Sequence, residues 1–503
     1  MAAERTDVLV VGAGPTGLML ANWLLKLGVQ VIVADGKEGP TRESRALVVQ
    51  ARSLEVYDQL GISEEVLAAA HRADKLAPGT GAQVFGTIPI GAIGEGHTPF
   101  PFLEVLEQSR NEEILYANLC KLGGEVRWGA QVSQLTRVDD GIEASIGETR
   151  VHARFCVGAD GANSVVRKSR DIVFEGATNP QVFYVIDAVA AGGLVEDAVN
   201  VRPGAEDFIL AFPMKGRGNW RLIGVARDSD GDGEVSEQDA RDRLRDGFAV
   251  TYAQSQWYAT YRVHHRVAAA FRDGPFFLAG DAAHVHSPVG AQGMNTGLQD
   301  AHNLAFKLAD VLQGRADDAW LDRYEAERRP VARRLVSTTD RLFGFITSRR
   351  LAPRTLRRLG VRLIAPLGVR TLPRTGGGAR FFEYVSQIRI HYWLSPSAKS
   401  AAGGQRDPVV GRRLPWTGDN YEVLRSLRWQ IHAYGGVHES DVPDLGLPVH
   451  VFPPAPSTRL RPGRLYLVRP DEFVAAEADP ADAATVFERA MPAKPANGTS
   501  STW

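Results

Sequence analysis

Three short segments of the sequence combine glycines with a helix start or a carboxylate. The first is Gly12-Ala13-Gly14-Pro15-Thr16-Gly17, the second is Asp160-Gly161 and the third is Gly280-Asp281. Glycine lets the backbone approach a phosphate, the N-terminal end of a helix attracts the anion, and a carboxylate accepts hydrogen bonds from sugar hydroxyls. The chemistry that these segments suit is the binding of a nucleotide cofactor.

The first segment lies in a complete strand, turn, helix and strand pattern. Residues 7–11 (DVLVV) form an apolar run that is typical of a parallel strand buried on both faces, and residues 29–34 (VQVIVA) predict a second strand. Asp35 follows the second strand, where a carboxylate binds ribose hydroxyls. The pattern predicts a Rossmann unit that holds an adenine dinucleotide, and it does not by itself separate FAD from NAD.

Each glycine of the first segment has a separate predicted task. Gly12 permits the tight turn, Gly14 lets the backbone approach a pyrophosphate, and Gly17 lets the helix pack closely on the strand. Pro15 and Thr16 stand at the predicted start of the helix, whose N-terminal end faces the anion.

The other two segments also follow apolar, strand-like runs. Residues 155–158 lead to Asp160-Gly161 and then to Arg167, and residues 275–279 lead to Gly280-Asp281. A glycine-rich stretch over residues 288–297 precedes another helix pattern. Taken alone, an Asp-Gly pair also suits an ordinary turn and Asp281 also suits a helix cap.

The three segments in this order resemble those of the single-component FAD-dependent aromatic hydroxylases, which have the para-hydroxybenzoate hydroxylase fold. The resemblance is closest to the three-domain polyketide and phenol hydroxylases. It implies an α/β fold with a Rossmann-like FAD-binding domain, a mixed β-sheet substrate domain and a C-terminal thioredoxin-like domain. The cofactor-binding residues that we predict are Gly12, Gly14, Pro15, Thr16, Gly17, Asp35, Arg45, Gln108, Asp160, Gly161, Arg167, Gly280, Asp281, Pro288, Gly293, Met294 and Asn295.

Four of these positions have specific roles implied by the resemblance. Arg45 matches an arginine that reaches the ribose and pyrophosphate region, and Gln108 a polar residue at the ribityl chain. Asp281 is expected to be a buried carboxylate that binds ribityl hydroxyls. The helix after Gly293 points its positive end at the flavin, where it stabilises the anion of the reduced cofactor.

The activity implied is an FAD-dependent, NAD(P)H-consuming monooxygenase that hydroxylates a phenolic or polyketide-derived polycyclic substrate through a flavin C4a-hydroperoxide. NAD(P)H is a transient co-substrate, because the sequence has no second glycine fingerprint, and Arg45 and residues 160–167 are candidates for its contacts. Three alternatives stay open: Baeyer–Villiger insertion into a polycyclic ketone, a non-oxygenating flavin reductase, and a flavoprotein that only binds an aromatic ligand.

The substrate region is expected between the second and third segments, where short apolar and aromatic runs predict antiparallel strands. Phe212, Pro213 and Trp220 are the predicted substrate contacts, although aromatic strand residues also form cores. No residue is assigned as a catalytic base.

The division of the chain that we predict has five parts. Residues 1–75, 105–172 and 263–345 form the FAD-binding domain, and residues 76–104 and 173–262 form the substrate-binding domain. Residues 346–394 form a helical linker, residues 395–490 the thioredoxin-like domain, and residues 491–503 a disordered tail. Because no cysteine follows Cys156, the third domain cannot perform disulfide chemistry. It is expected instead to pack against the other domains or to form oligomers, with a homodimer as one outcome.

Composition excludes several classes of protein. The 58 Lys and Arg residues balance 59 Asp and Glu residues, which argues against nucleic acid or an anionic membrane as a partner. The sequence has only two cysteines, which argues against disulfides. No cysteine or carboxylate completes a ligand set around His264, His265, His284 and His286, which argues against a metal. Without an export signal or a long apolar run, the protein is expected to be cytoplasmic and to have no membrane span.

Overall fold

The computed structural model describes residues 3–41, 46–204, 207–226, 235–286, 292–347, 368–369, 371, 375–393, 395–401, 403–404, 407–455 and 458–495. The strands are, in chain order, β1 (Glu4–Val11), β2 (Val31–Ala34), β3 (Val48–Val49), β4 (His71–Ala73), β5 (Lys75–Thr80), β6 (Gln83–Val84), β7 (Ile88–Pro89), β8 (Leu103–Val105), β9 (Val126–Arg127), β10 (Val132–Val138), β11 (Gly141–Ile146), β12 (Thr149–Gly158), β13 (Phe174–Val189), β14 (Ala198–Pro203), β15 (Phe208–Pro213), β16 (Trp220–Ala226), β17 (Gln254–Ala268), β18 (Arg272–Asp273), β19 (Phe276–Leu278), β20 (His284–Val285), β21 (Gln430–Tyr434), β22 (Val449–Phe452), β23 (Leu465–Val468) and β24 (Val474–Ala478).

The helices are α1 (Pro15–Lys26), α2 (Ala51–Leu60), α3 (Ser63–Ala69), α4 (Ile90–Gly94), α5 (Gln108–Lys121), α6 (Val165–Ser169), α7 (Glu237–Phe248), α8 (Gly293–Leu312), α9 (Asp322–Thr347), α10 (Gly376–Val385), α11 (Pro396–Ala401) and α12 (Ala483–Ala490). Short 3-10 turns span Gly280–Ala282, Asp318–Leu321, Glu422–Ser426 and Glu439–Asp441. None of the helices in the described part of the chain has the length and apolar composition needed to cross a membrane.

The first sheet contains the predicted Rossmann unit. Strand β1 lies between β2 and β12, and all three are parallel. Strand β9 extends the sheet beyond β2, while the end of β12 pairs in parallel with β19. Val8, Leu9 and Val10 are fully buried, as expected for a central strand covered on both faces. The predicted mixed α/β architecture with several sheets is confirmed.

The second sheet runs in the order β20, β17, β13, β16, β15, β14, β5 and β6, with β7 on β5. It is mostly antiparallel, as predicted from its short apolar and aromatic runs, and it includes the strands expected between residues 173 and 262. One face carries Phe183, Leu210 and Ile223, which belong to the same core as the first sheet. The other face packs against helix α7 through a separate core.

A third sheet lies near the C-terminus, in the order β22, β21, β23 and β24. Strands β21 and β22 are parallel, whereas β23 and β24 continue the sheet antiparallel. All four strands lie within residues 395–490, the range predicted for the third domain. Of the predicted tail, residues 496–503 lie outside the described residues, while Ala493 accepts a backbone hydrogen bond from Asp317.

Buried ionic contacts join the third sheet to the rest of the chain. Arg469 donates to both carboxylate oxygens of Glu327 on α9, at 2.7 and 3.0 Å. Lys307 on α8 also pairs with Glu327, at 3.0 Å. These three side chains are almost completely buried. The C-terminal unit is therefore packed directly on helices α8 and α9.

Candidate cofactor site

The three glycine segments meet at one edge of the first sheet. Val11, Gly158 and Leu278 are neighbours in register at the carboxyl ends of parallel strands β1, β12 and β19. The Ala159 amide donates to the Val11 carbonyl at 2.7 Å, and the Ala279 amide donates to the Gly158 carbonyl at 2.9 Å. Parallel strands thus bring together segments that are far apart in the sequence, at the edge where open α/β sheets bind ligands.

The first turn has the close packing that its glycines predict. A Cβ atom on Gly12 would lie 2.4 Å from the Ala159 carbonyl oxygen, and one on Gly17 would lie 1.9 Å from the Gly12 carbonyl oxygen. Gly12 also has a φ of +104°, which favours glycine. At Gly14 a Cβ would meet no atom within 4 Å. The structure therefore leaves open space in front of the α1 N-terminus, where a pyrophosphate fits.

The first turn of α1 has no competing anion. Gly14 is its N-cap and gives no side-chain cap, and Pro15 opens the helix. None of the residues in the first turn is acidic. The amide groups and the positive end of the helix are thus available for an anion.

Asp35 is held in place by backbone amides. Its carboxylate accepts from the Ala13 amide at 2.7 Å and from the Lys37 amide at 2.8 Å. These two contacts use one lone pair on each oxygen, so the carboxylate keeps further acceptor capacity for ribose hydroxyls.

Gln108 is the first residue of α5, and its side chain holds the backbone at Ala46, the residue that follows Arg45 in the sequence. The Ala46 amide donates to Gln108 Oε1 at 3.2 Å, and Gln108 Nε2 donates to Glu112 at 2.9 Å. Glu112 also accepts from the Thr41 amide at 2.8 Å. Arg45 itself lies outside the described residues. Gln108 thus anchors one end of the segment that carries Arg45.

Asp160 has a buried carboxylate oxygen that no described residue satisfies. Oδ2 accepts from the Val165 and Val166 amides at 2.7 and 3.3 Å, whereas Oδ1 is buried without a hydrogen-bond partner. Burial raises the pKa of Asp160 above its ordinary value, against the opposing effect of these amides and Ser164. An orphaned acceptor of this kind calls for a donor from a ligand. Together with the space at Gly14, it fits a bound dinucleotide.

Arg167 joins two of the segments to each other. Its guanidinium donates to the Ala162 carbonyl at 2.7 Å and to the Ala282 carbonyl at 2.9 Å. It also lies 4.0 Å from the Phe174 ring centroid. Two of its N–H groups are engaged by backbone carbonyls, which gives it a supporting position between the Asp160-Gly161 and Gly280-Asp281 turns. Gly161, at a φ of +77°, makes the first of these turns.

Thr16 is the contact between the first and third segments. A Cβ on Gly280 would lie 2.4 Å from Thr16 Oγ1, and one on Gly297 would lie 2.3 Å from the same atom. Helix α1 therefore approaches α8 at Gly297, and the 3-10 turn at Gly280, closely enough to favour glycine at both positions.

Asp281 is exposed, so the prediction of a buried carboxylate is wrong. The physical reason is local: Gly280–Ala282 forms a 3-10 turn, in which Gly280 and Ala282 are buried and Asp281 is directed outward. Asp281 remains at the shared edge of the three segments, directly after β19.

The start of α8 differs in part from its prediction. Gly293 begins the helix, and the Met294 sulfur accepts from Asn111 at 3.6 Å. The Asn295 side chain is fully buried and binds Val48, Gln50 and Ser53. It holds α8 against β3 and the start of α2, so its amide group is turned toward the protein. Pro288 lies outside the described residues.

The predicted substrate residues lie on two faces of the second sheet. Phe212 shares a core with the first sheet. Trp220 belongs to the core under α7, and Pro213 is its direct partner in the β15–β16 pair, so both point away from the first sheet. Of the three predicted substrate contacts, only Phe212 therefore lies on the face directed toward the first sheet.

Sequence reasoning missed an ion pair on the face that carries Phe212. Arg221 pairs with Asp187 through two hydrogen bonds of 2.6 Å, and its side chain is only 1% exposed. In sheet register, Trp257, Asp187, Arg221 and Phe212 form one row. The sequence could have indicated this pair, because Asp187 and Arg221 are charged residues within apolar strand patterns.

A second missed cluster lies behind Gly280. Asp300 on α8 binds His284 and Arg328, and all three side chains are buried. The sequence could have indicated this cluster, because Asp300 is an acidic residue on a predicted helix that is otherwise buried on all sides. No three His, Cys, Asp or Glu side chains in the described ranges could share a metal ion.

Comparison with known proteins gives one family and several relatives. The family description "FAD binding domain" matches residues 5–339. The chain is 36% identical over 357 residues to 6-methylpretetramide 4-monooxygenase of Streptomyces rimosus, which covers 67% of this chain and 61% of that protein. It is 31% identical to the rifampicin monooxygenase of Rhodococcus hoagii, over 86% of this chain and 87% of that one.

Among solved structures, the anhydrotetracycline hydroxylase OxyS from Streptomyces rimosus has a TM-score of 0.74 and 28% sequence identity. The similarity covers 98% of this chain and 100% of that chain. It therefore includes the C-terminal sheet as well as the first two sheets.

Proposed function

Because this chain belongs to the family of single-component FAD-dependent aromatic hydroxylases, we propose that it is an NAD(P)H-consuming monooxygenase acting on a phenolic or polyketide-derived polycyclic substrate. The observation that carries the proposal is the meeting of three glycine segments at one sheet edge, beside the apolar face of a second sheet. The relatives named above are monooxygenases or hydroxylases of 6-methylpretetramide, rifampicin and anhydrotetracycline.

The proposed cofactor contacts divide between binding the phosphates and binding the sugars. The open N-terminus of α1 at Gly14 receives the pyrophosphate, and Asp35 receives the adenosine ribose. Asp281 binds the ribityl hydroxyls, and the unsatisfied Asp160 oxygen accepts a further donor. When bound, FAD supplies reduction by NAD(P)H and the activation of O₂.

The start of α8 contributes an electrostatic effect. Its positive end, at Gly293 and Met294, stabilises negative charge on the cofactor ring. The chain itself therefore binds, orients and stabilises, while the oxidising power comes with the cofactor.

The proposed substrate surface is the face of the second sheet that shares a core with the first. Phe183 stacks on Tyr261 with ring centroids 5.6 Å apart, and its ring lies 6.0 Å from that of Phe208. Aromatic and aliphatic side chains on this face exclude water and suit a flat aromatic ligand. Asp187 and Arg221 supply its one described polar pair.

The domain bounds given in the sequence analysis are part of this proposal. The C-terminal domain, residues 395–490, is proposed to be thioredoxin-like. Its parallel β21–β22 pair, its two antiparallel strands and the following helix α12 support that assignment.

The proposal is tested by reducing the purified protein with NADH or NADPH without oxygen, while phenols and polycyclic quinones are added in turn. We expect a yellow protein whose flavin absorbance is bleached faster with one of these compounds, and whose oxygen uptake then yields a hydroxylated product. Bleaching without oxygen transfer would support the reductase alternative. A colourless protein that binds no FAD would overturn the proposal.

Substitution of Asp281 by Ala tests the proposed cofactor contact directly. The variant should lose FAD during purification, because it lacks the ribityl acceptor. Asp139→Ala, which removes an exposed carboxylate at the β10–β11 turn, should retain it. Asp281→Ala protein that stays yellow and active would remove the role assigned to Asp281.

A further inference from the structure

The Asp300 carboxylate joins three elements around the proposed cofactor edge. It is fully buried on α8. Oδ2 accepts from the Gly280 amide at 3.2 Å and contacts His284 Nε2 at 2.7 Å. Oδ1 accepts from Arg328 Nε on α9 at 2.7 Å. One side chain thus connects the turn after β19, strand β20 and helix α9.

Neighbouring groups explain how this carboxylate stays ionised although it is fully buried. Burial opposes its ionisation, but Arg328 and His284 outweigh that effect and hold the pKa of Asp300 below its ordinary value. Oδ1 thus faces the Arg328 guanidinium, and Oδ2 faces the His284 imidazole. His284 Nδ1 has no hydrogen-bond partner within the described residues, and its ring stacks on Phe271. Asp300 is therefore the polar contact that orients this imidazole.

The same network reaches the first turn of α8. Arg328 Nη2 donates to the Thr296 carbonyl at 3.3 Å. Gly280, bound by Asp300, directly precedes Asp281. The two parts of the proposed flavin site, the carboxylate turn and the helix start, are consequently tied to one buried ion pair.

We propose that Asp300 is a positioning residue, which fixes the Gly280-Asp281 turn relative to the N-terminal end of α8, with His284 and Arg328 orienting its carboxylate. This inference rests on the proposed function, since FAD binds across these two elements. Asp300 does not touch the cofactor. It fixes the position of Asp281, the proposed ribityl acceptor, relative to the positive N-terminal end of α8.

The test compares Asp300→Asn with Asp310→Asn. Asp310 is a matched control, because it is also buried on α8 and pairs with Arg315 at 2.9 Å, about 15 Å along the helix from Asp300. FAD affinity of the apoprotein and the midpoint potential of the bound flavin are measured for both variants and for the wild type.

For Asp300→Asn we expect at least a tenfold rise in the FAD Kd. We also expect a tenfold loss of preference for reduced over oxidised flavin, a shift of about 30 mV to more negative potential. Asp310→Asn should keep the wild-type Kd and potential, even where it lowers thermal stability. A merely structural role for Asp300 would lower the stability of Asp300→Asn and leave the flavin potential unchanged.

His284→Gln provides the second variant, since it leaves the Asp300–Arg328 ion pair in place. It should change the FAD Kd and the potential in the same direction by a smaller factor, and it decides the matter if Asp300→Asn does not fold. Folded variants with wild-type Kd and potential would overturn the inference. Failure of the wild type to bind FAD would instead refute the proposed function.

Discussion

A methyl group on Gly297 would come within 2.3 Å of the Thr16 hydroxyl oxygen, although the two residues belong to different helices, α8 and α1. Gly297→Ala should therefore separate α1 from α8 and weaken FAD binding at least tenfold. Thr16→Ala removes the oxygen in the way, so the double variant should recover part of the affinity. Fluorescence titration of FAD into each apoprotein measures this, and equal affinity in the single and double variants would contradict the steric explanation.

The raised pKa of Asp160 predicts a pH effect on the apoprotein. The folded state binds a proton more readily than the unfolded state, so this carboxyl lowers stability progressively as pH rises from its ordinary pKa through its raised folded value. Asp160→Asn should remove that effect. Its apoprotein should match the wild type at low pH and melt at a higher temperature at pH 8, while binding FAD more weakly. A difference in melting temperature that is constant with pH would argue against this account.

The two faces of the second sheet should respond differently to truncation. Phe212→Leu changes the proposed substrate face and should alter KM for the aromatic compound that best accelerates flavin reduction. Trp220→Leu opens a cavity under α7 and should lower the free energy of unfolding by about 3 kcal/mol, with KM unchanged. Steady-state kinetics and urea denaturation of both variants distinguish the two effects. An altered KM in Trp220→Leu alone would reverse the assignment of the faces.

The buried contacts of Glu327 should hold the C-terminal unit on the helices. Glu327→Gln leaves Lys307 and Arg469 with one buried carboxylate, Asp471, between them. One buried positive charge is then uncompensated, so we expect a loss of about 3–5 kcal/mol in the free energy of unfolding. Glu439→Gln changes an exposed residue and should stay within about 0.5 kcal/mol of the wild type. Urea denaturation followed by circular dichroism gives both values.

The sequence was sufficient where a local pattern determines the structure. Gly12, Gly17 and Asp35 lie as their spacing predicts, because a Rossmann turn allows few alternatives to glycine at those points. The order of the three segments also predicts their meeting, since parallel strands align their carboxyl ends. The homodimer and the cytoplasmic location stay predictions.

Long-range packing explains what the sequence could not predict. Both faces of β15 and β16 are buried, so their apolar pattern does not show which side chains face the first sheet. Phe212 and Trp220 lie on opposite faces because the strand register pairs Trp220 with Pro213. Asn295 and Arg167 resemble ligand contacts by type and position, yet their partners come from residues more than a hundred positions away, at Val48 and Ala282. Asp300 and Arg328 meet only after α8 and α9 have packed.

The two cysteines differ in a way that is useful for chemical labelling. Cys120 is exposed near the end of α5, whereas Cys156 is buried in β12, where burial raises the pKa of its thiol far above the ordinary range. Because the thiolate is the reactive form, a maleimide dye should attach at Cys120 alone in the unaltered chain. Gln108 begins the same helix about 18 Å away, so a fluorophore at Cys120 would sit within energy-transfer range of a flavin and report its arrival without any substitution.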